Sequence, residues 1–238
     1  MPYDLIIPDI HEKIDVTDEI IARYPDCRFR YFLGDFWDSF EWEFQPDHWR
    51  RVAHWLVKIS DDSRNKLLAG NHDIQYYNNG MEYYLCSGYI GAKHQMISQE
   101  MPAHWLTRNC HWVYPVMHGD RLTLLSHAGV NPLHVRYGAT VDLDYVMKLN
   151  AEITNNFIMG VNDSLLQAGR GRGGRGMGGI TWQDWDREYS PLEGIRQIVG
   201  HTPHAEPRWL GQDLCLDTHL GHVALMDCET GAITIEAV

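Results

Sequence analysis

Along the first half of the chain, short apolar runs alternate with amphipathic stretches. Tyr3-Asp4-Leu5-Ile6-Ile7, Phe29-Arg30-Tyr31-Phe32-Leu33 and Lys66-Leu67-Leu68-Ala69 read as strands. Between the first two, Thr17 to Tyr24 reads as a capped helix that stops at Pro25. Trp49, Val52, Ala53, Leu56, Val57 and Ile59 fall at helical spacing, with Pro46 and Asp47 near the start. A tyrosine-rich helical region is expected from about Ile74 to Met101, ending at Pro102. This β-α-β-α order predicts helices packed on a largely parallel sheet.

From Trp112 onward the texture changes. Residues 112–126 predict two strands joined at His118-Gly119-Asp120, and residues 142–168 predict a helix. On that helix Leu143, Val146, Met147, Leu149 and Ile153 lie near one face. Strands return at Ile195-Arg196-Gln197-Ile198-Val199, Leu214-Cys215-Leu216, His222 to Met226 and Ala232 to Ile235, with a turn at Glu229-Thr230-Gly231. No repeat or linker divides residues 1–238, so one mixed α/β domain is expected.

Five of the predicted strands are each followed by a short polar motif. These are Asp9-Ile10-His11, Gly34-Asp35-Phe36-Trp37-Asp38, Gly70-Asn71-His72-Asp73, Ser126-His127-Ala128-Gly129 and Gly200-His201-Thr202. Each offers a carboxylate, an imidazole or an amide, the side-chain types that bind divalent metals. Strands that stop in step deliver their loops to one edge of a sheet, where five loops can converge on one site. The pattern predicts a two-metal hydrolase.

Composition narrows this picture. The chain has 238 residues, 44% of them hydrophobic, with nine tryptophans, enough for a sizeable core. A formal charge of −12 argues against stable nucleic-acid binding through a broad basic face. Phosphate substrates remain open, because two cations would make a local positive site. The five scattered cysteines show neither zinc-site spacing nor a disulfide framework, and read as free thiols in a reducing cytoplasm. No leader pattern and no membrane-spanning apolar run is seen, so no membrane association is expected. Residues 169–179 are dense in glycine, which is costly to order. They read either as a flexible surface loop or as a mobile loop that carries Arg170, Arg172 or Arg175 to a phosphate.

The five motifs together resemble the calcineurin-like metallophosphoesterases, in the branch of the phosphoprotein phosphatases and diadenosine tetraphosphatases. The resemblance runs from Asp9 to about Gly231 and includes His127-Ala128-Gly129-Val130-Asn131-Pro132 and Ile180-Thr181-Trp182. It implies a four-layer α/β/β/α sandwich of two mixed β-sheets flanked by helices. It also implies two divalent metal ions, Mn²⁺ first, with Fe or Zn²⁺ also suited. Asp9 and His11 would hold one ion, Asp35 would bridge, and Asn71, His127 and His201 would complete the second site. His72 would act as general acid, oriented by Asp38, while Asp73 is read as structural.

The chain departs from this branch where phosphate is gripped. Ser39 and Phe40 follow Asp38, where the branch usually has Arg-Gly, and Asp184 stands two residues after Trp182, where another arginine is usual. Glu12 replaces the glycine that often follows Asp-x-His. Either the glycine-rich loop supplies a replacement, Arg175 or Arg172, or the substrate is not an ordinary phosphomonoester. Trp37 or Phe40 could wall the substrate pocket, and His219 could touch substrate, although core and hairpin positions are the simpler readings. The expectation is a serine/threonine-protein-phosphatase-like hydrolase of phosphate esters. Its substrate would be a phosphorylated small molecule, a nucleotide or a phosphoprotein. The alternatives are a nucleotide polyphosphate or phosphodiester hydrolase, and a catalytically idle metal-binding interaction module.

Overall fold

The computed structural model describes residues 2–39, 45–77, 82–102 and 104–238. Its first sheet has the strand order β11-β10-β1-β2-β3-β4. These strands are β1 (Tyr3–Ile7), β2 (Arg30–Phe32), β3 (Asn65–Leu68), β4 (Cys110–His111), β10 (His222–Asp227) and β11 (Ile233–Ala237). The run β1-β2-β3-β4 is parallel, whereas β10 pairs antiparallel with both β1 and β11. The second sheet has the order β5-β6-β7-β9-β8. It comprises β5 (Val113–His118), β6 (Arg121–Ser126), β7 (Arg196–Val199), β8 (Arg208–Leu210) and β9 (Asp213–Cys215). Here β6, β7 and β9 run parallel, with antiparallel partners at the edges.

Side chains alternate across each strand, so one strand serves two layers. Ile6 and Tyr31 face the second sheet and pack with Val116, Leu125, Ile198 and Leu214 in a buried layer between the sheets. Leu5, Ile7 and Phe32 face the other way, into a core shared with α1 (Ile14–Arg23) and α2 (Pro46–Ser60). On the far side of the second sheet, α6 (Leu143–Ile158) buries Val146, Leu149, Ile153 and Phe157. The result is two mixed sheets flanked by helices. Each fully buried Leu, Ile or Phe in such layers contributes about 1.5–3 kcal/mol. None of the described helices is long and apolar enough to cross a membrane.

Several expected elements shift. Thr17 does not cap α1: the helix begins at Ile14, and the Thr17 hydroxyl donates back to the Lys13 carbonyl at 2.9 Å. The helical region expected over Ile74–Met101 is broken into α3 (Asn71–Tyr77), a short 3₁₀ turn at Glu82–Tyr84 and α4 (Gly91–Glu100). The helix expected over residues 142–168 ends at Ile158. A five-residue helix, α5 (Trp105–Asn109), leads into β4. The edge strands β4 and β8 are too short to leave a periodic signal in the sequence.

Candidate metal centre

All five motifs stand where parallel strands end. Asp9 and His11 follow β1, Asp35 and Asp38 follow β2, Asn71 and His72 open α3 after β3, His127 follows β6 and His201 follows β7. The geometry collects them. His127 Nε2 lies 3.0 Å from Asn71 Oδ1, 3.1 Å from His201 Nδ1 and 3.3 Å from Asp35 Oδ2. Asp9, His11 and Asp35 form an adjoining trio, and Asp35 belongs to both groups. In each trio, one donor atom per residue lies within 4.8 Å of the others.

These donors fit a bound cation. His127 Nδ1 is 2.8 Å from the Leu33 carbonyl and donates to it, so Nε2 presents a lone pair. The Asn71 amide nitrogen faces the Cys86 thiol, which turns Oδ1 toward His127. Lone pairs therefore crowd one another, and a proton or a metal ion must lie between them. Asp9 Oδ2 accepts the His201 backbone N–H at 2.9 Å, while Oδ1 is buried with no hydrogen-bond partner. Gly200 makes room for that oxygen: a Cβ there would lie 1.9 Å from Asp9 Oδ1. Gly70 does the same for Asp35 Oδ1, at 2.1 Å.

The electrostatics agree. With no cation counted, burial alone disfavours a charged His127, yet the Asp35 and Asp9 carboxylates lift its pKa to about 9. Burial, reinforced by Asp217, raises Asp9 well above the usual carboxylate range. Asp35 resists burial and is held below that range by His127 and His72. His201 is pushed well down, by burial first and by the neighbouring His127 next, which leaves it neutral and ligand-competent.

The loops hold their shape by unusual backbone. His11, Asp35, Asp38 and His201 have φ of 47°, 50°, 67° and 68°, in the left-handed region that non-glycine residues rarely adopt. Each such residue costs about 1–3 kcal/mol and persists only where its surroundings enforce it. Asp73 supplies part of that enforcement. Its Oδ2 accepts the Asp35 and Gly70 amides at 2.9 and 2.8 Å, and Oδ1 accepts the Phe36 amide at 2.8 Å.

His72 sits beside the trio, with Nδ1 2.9 Å from Asp38 Oδ2. Burial opposes its charge, but the Asp35 field and the Asp38 hydrogen bond raise its pKa well above the ordinary imidazole value. Gln75 Nε2 and the Tyr76 hydroxyl also donate to Asp38. So does Lys93 Nζ, at 2.8 Å, which lies 2.5 Å from Glu12 Oε1 as well. Sequence reasoning missed Lys93. A signal was present: Lys93, Met96 and Ile97 are the buried residues of α4, so a lysine occupies an apolar register position.

A cleft of about 590 Å³ opens over His11, Asp35, Asn71, His72 and His201. Arg172, Trp182 and His219 also line it. The Arg172 guanidinium lies 3.0 Å from Asp184 Oδ2 and donates to the Thr202 hydroxyl at 3.3 Å. Thus Asp184, at the place where an arginine is usual, holds an arginine from the glycine-rich loop. Arg175 is exposed and does not line this cleft. The loop is tied by its own backbone, with Arg170 N donating to Gly176 O and Gly174 N to Gly169 O. Trp37 is fully buried in the core, so it does not wall the cleft, and Phe40 lies outside the described residues.

No family model matches the sequence, and no curated protein matches it. Solved structures do match it. A hypothetical protein from Pyrococcus horikoshii has a TM-score of 0.50 at 13% identity, covering 100% of this chain and 88% of its own. The fold is the four-layer sandwich that the resemblance implies. A protein serine/threonine phosphatase from Saccharomyces cerevisiae gives 0.49 at 12% identity, covering 99% of this chain and 79% of its own. A phosphoesterase from E. coli gives 0.40 at 11%, covering 99% of each. At 13% identity the likeness to the Pyrococcus horikoshii protein speaks for the fold alone, and the chemistry rests on the side chains described above.

Proposed function

We propose that residues 1–238 form one metal-dependent phosphoesterase domain that hydrolyses phosphate esters. The observation that carries this reading is the convergence of Asp9, His11, Asp35, Asn71, His127 and His201 at the floor of a cleft flanked by His72 and Arg172. Asp9, His11 and Asp35 would hold one divalent ion, and Asp35, Asn71, His127 and His201 a second. Mixed oxygen and nitrogen donors suit Mn²⁺ first, with Fe or Zn²⁺ also accommodated. Two such ions polarise a phosphoryl group and make water a nucleophile at neutral pH.

The chain's own groups supply the rest. Nδ1 of His72 is committed to Asp38, so Nε2 is the atom that delivers a proton to the leaving oxygen. The Asp38 carboxylate, 2.9 Å from Nδ1, favours the protonated imidazole. Arg172, steadied by Asp184 and Thr202, presents paired N–H donors to phosphate oxygens. Phosphomonoesters, including those of phosphoproteins, are the first substrate class. A nucleotide or diester is the second, favoured by Trp182 in the cleft and by the Asp184 charge that offsets Arg172. The five free cysteines support a reducing cytoplasm.

The test is hydrolysis of p-nitrophenyl phosphate beside bis-p-nitrophenyl phosphate, with and without Mn²⁺, with Asp35→Asn as control. Mn²⁺-dependent monoester turnover that Asp35→Asn abolishes supports the first class, and a diester preference selects the second. No Mn²⁺-dependent turnover of either ester, or turnover unaffected by Asp35→Asn, sinks the catalytic reading.

A further inference from the structure

We infer that Lys93 and Glu12 form a buried strut that positions Asp38, and through it His72, for protonation of the leaving group. The inference rests on the phosphoesterase reading above, but its central contact is visible without it.

Lys93 comes from α4, and neither it nor any other residue of that helix lines the cleft. Its side chain is 1% exposed, and its ammonium sits 5.2 Å from the Trp49 ring centre and 5.7 Å from that of Tyr76. From there it reaches two carboxylates, Glu12 Oε1 at 2.5 Å and Asp38 Oδ1 at 2.8 Å. Glu12 in turn accepts the Asp38 backbone N–H at 3.0 Å through the same Oε1. The pair therefore grips Asp38 twice, at its amide directly and at its carboxylate through the ammonium. Glu12 and Asp38 both carry left-handed backbone, with φ of 65° and 67°, so neither loop would keep this shape without such restraint.

The division of labour on Asp38 gives the strut its consequence. Oδ2 faces His72 Nδ1 and Gln75 Nε2, while Oδ1 faces Tyr76 and Lys93. Without Lys93, Oδ1 keeps a single neutral donor, and the carboxylate is free to rotate away from the imidazole. Tying α4 to the sheet does not by itself call for charges here. Buried ion pairs are often no more stabilising than apolar side chains of similar volume. What an apolar substitute cannot do is hold a carboxylate at a fixed angle to His72.

Two measurements test this on the full chain. In the Mg²⁺-loaded protein, the His72 Nδ1 proton should give a downfield NMR resonance, assigned by its loss in His72→Asn. In Lys93→Met that resonance should broaden or move upfield, and Lys93→Arg should keep it. An unchanged resonance in Lys93→Met overturns the strut, whether or not the protein hydrolyses any ester. For turnover, Lys93→Met should lower kcat about 10–100-fold on an ester with an alkyl alcohol leaving group, part of the 10²–10⁴ that general acids supply. KM and metal content should change less than about twofold. Loss on p-nitrophenyl phosphate, whose leaving oxygen needs little protonation, should be under about threefold. Equal losses on both esters, or loss of metal, overturn the assignment. If Lys93→Met fails to fold, the neutral pair Lys93→Met with Glu12→Gln takes its place in both measurements and must meet the same criteria. Absence of all turnover in the unmodified protein counts against the phosphoesterase reading, and the resonance still decides the strut.

Discussion

The floor of the cleft and its roof are built in different ways. On the floor, every candidate metal ligand lies within a few residues of a strand end, so the sheets themselves carry it to the centre. On the roof, Arg172 comes from the glycine-rich loop and depends on Asp184, 12 positions away on another loop, and on Thr202, 30 positions away beside the floor residue His201. The floor is therefore specified by strand order and short motifs, and tolerates little change. The roof is specified by contacts between loops, where substrate choice can alter while the fold stays the same.

The largest expected effect is on the floor. Asp35→Asn removes the carboxylate common to both clusters, and turnover should fall by on the order of 10³ or more, as when a main charge-stabilising group is lost. Calorimetric titration with Mn²⁺ should show the loss of tight binding; retained binding of two ions would break the contrast drawn here. Next comes Arg172→Ala, with kcat/KM for a phosphomonoester down about 10–100-fold, the size of a hydrogen bond to a charged group. Arg175→Ala, measured alongside, should stay within about twofold, and the reverse order would reassign the phosphate grip. Asp184→Asn should raise KM by up to about fivefold, because Arg172 is partly exposed and Thr202 still holds it. An unchanged KM would mean that Thr202 alone sets Arg172.

The smallest effect on turnover belongs to a group outside the cleft, which shows instead as a pH slope in stability. Burial pushes the His134 imidazole, which accepts the Asn131 backbone N–H, down to about 4. Between about pH 6.5 and 4 the unfolded chain takes up a proton that the folded protein refuses. Stability should therefore fall as pH falls through that window. Urea midpoints of His134→Gln should decline less steeply over the same range than those of the unmodified protein; parallel declines would remove His134 from the account.

The floor was largely legible in the sequence, because strand periodicity and motif sit together in one short window. Asp9, His11, Asp35, Asn71, His127 and His201 each announce themselves within four residues of an apolar run. The break between α3 and α4 was not legible, since tyrosines serve helix faces and irregular turns equally well. Thr17 resembled a cap but bonds to a carbonyl four residues back, a choice that only the three-dimensional start of α1 reveals. The link between Arg172 and Asp184 lay beyond reach for another reason. The missing arginine and its replacement lie on different segments, and only packing joins them. Lys93 could have been suspected from its apolar register, but not its partners.

On the proposed function, the left-handed backbone at His11, Asp35, Asp38 and His201 sets durability against activity. Glycine would occupy such conformations with less strain, so for the backbone alone these four side chains are the harder choice. A survey of variants selected only for heat resistance should accumulate changes at these positions first, whereas one selected for turnover should leave them untouched. If these side chains act as proposed, the chain keeps a reactive surface at the expense of thermal margin, and its tolerance for mutation should be narrowest at the edge where its strands end.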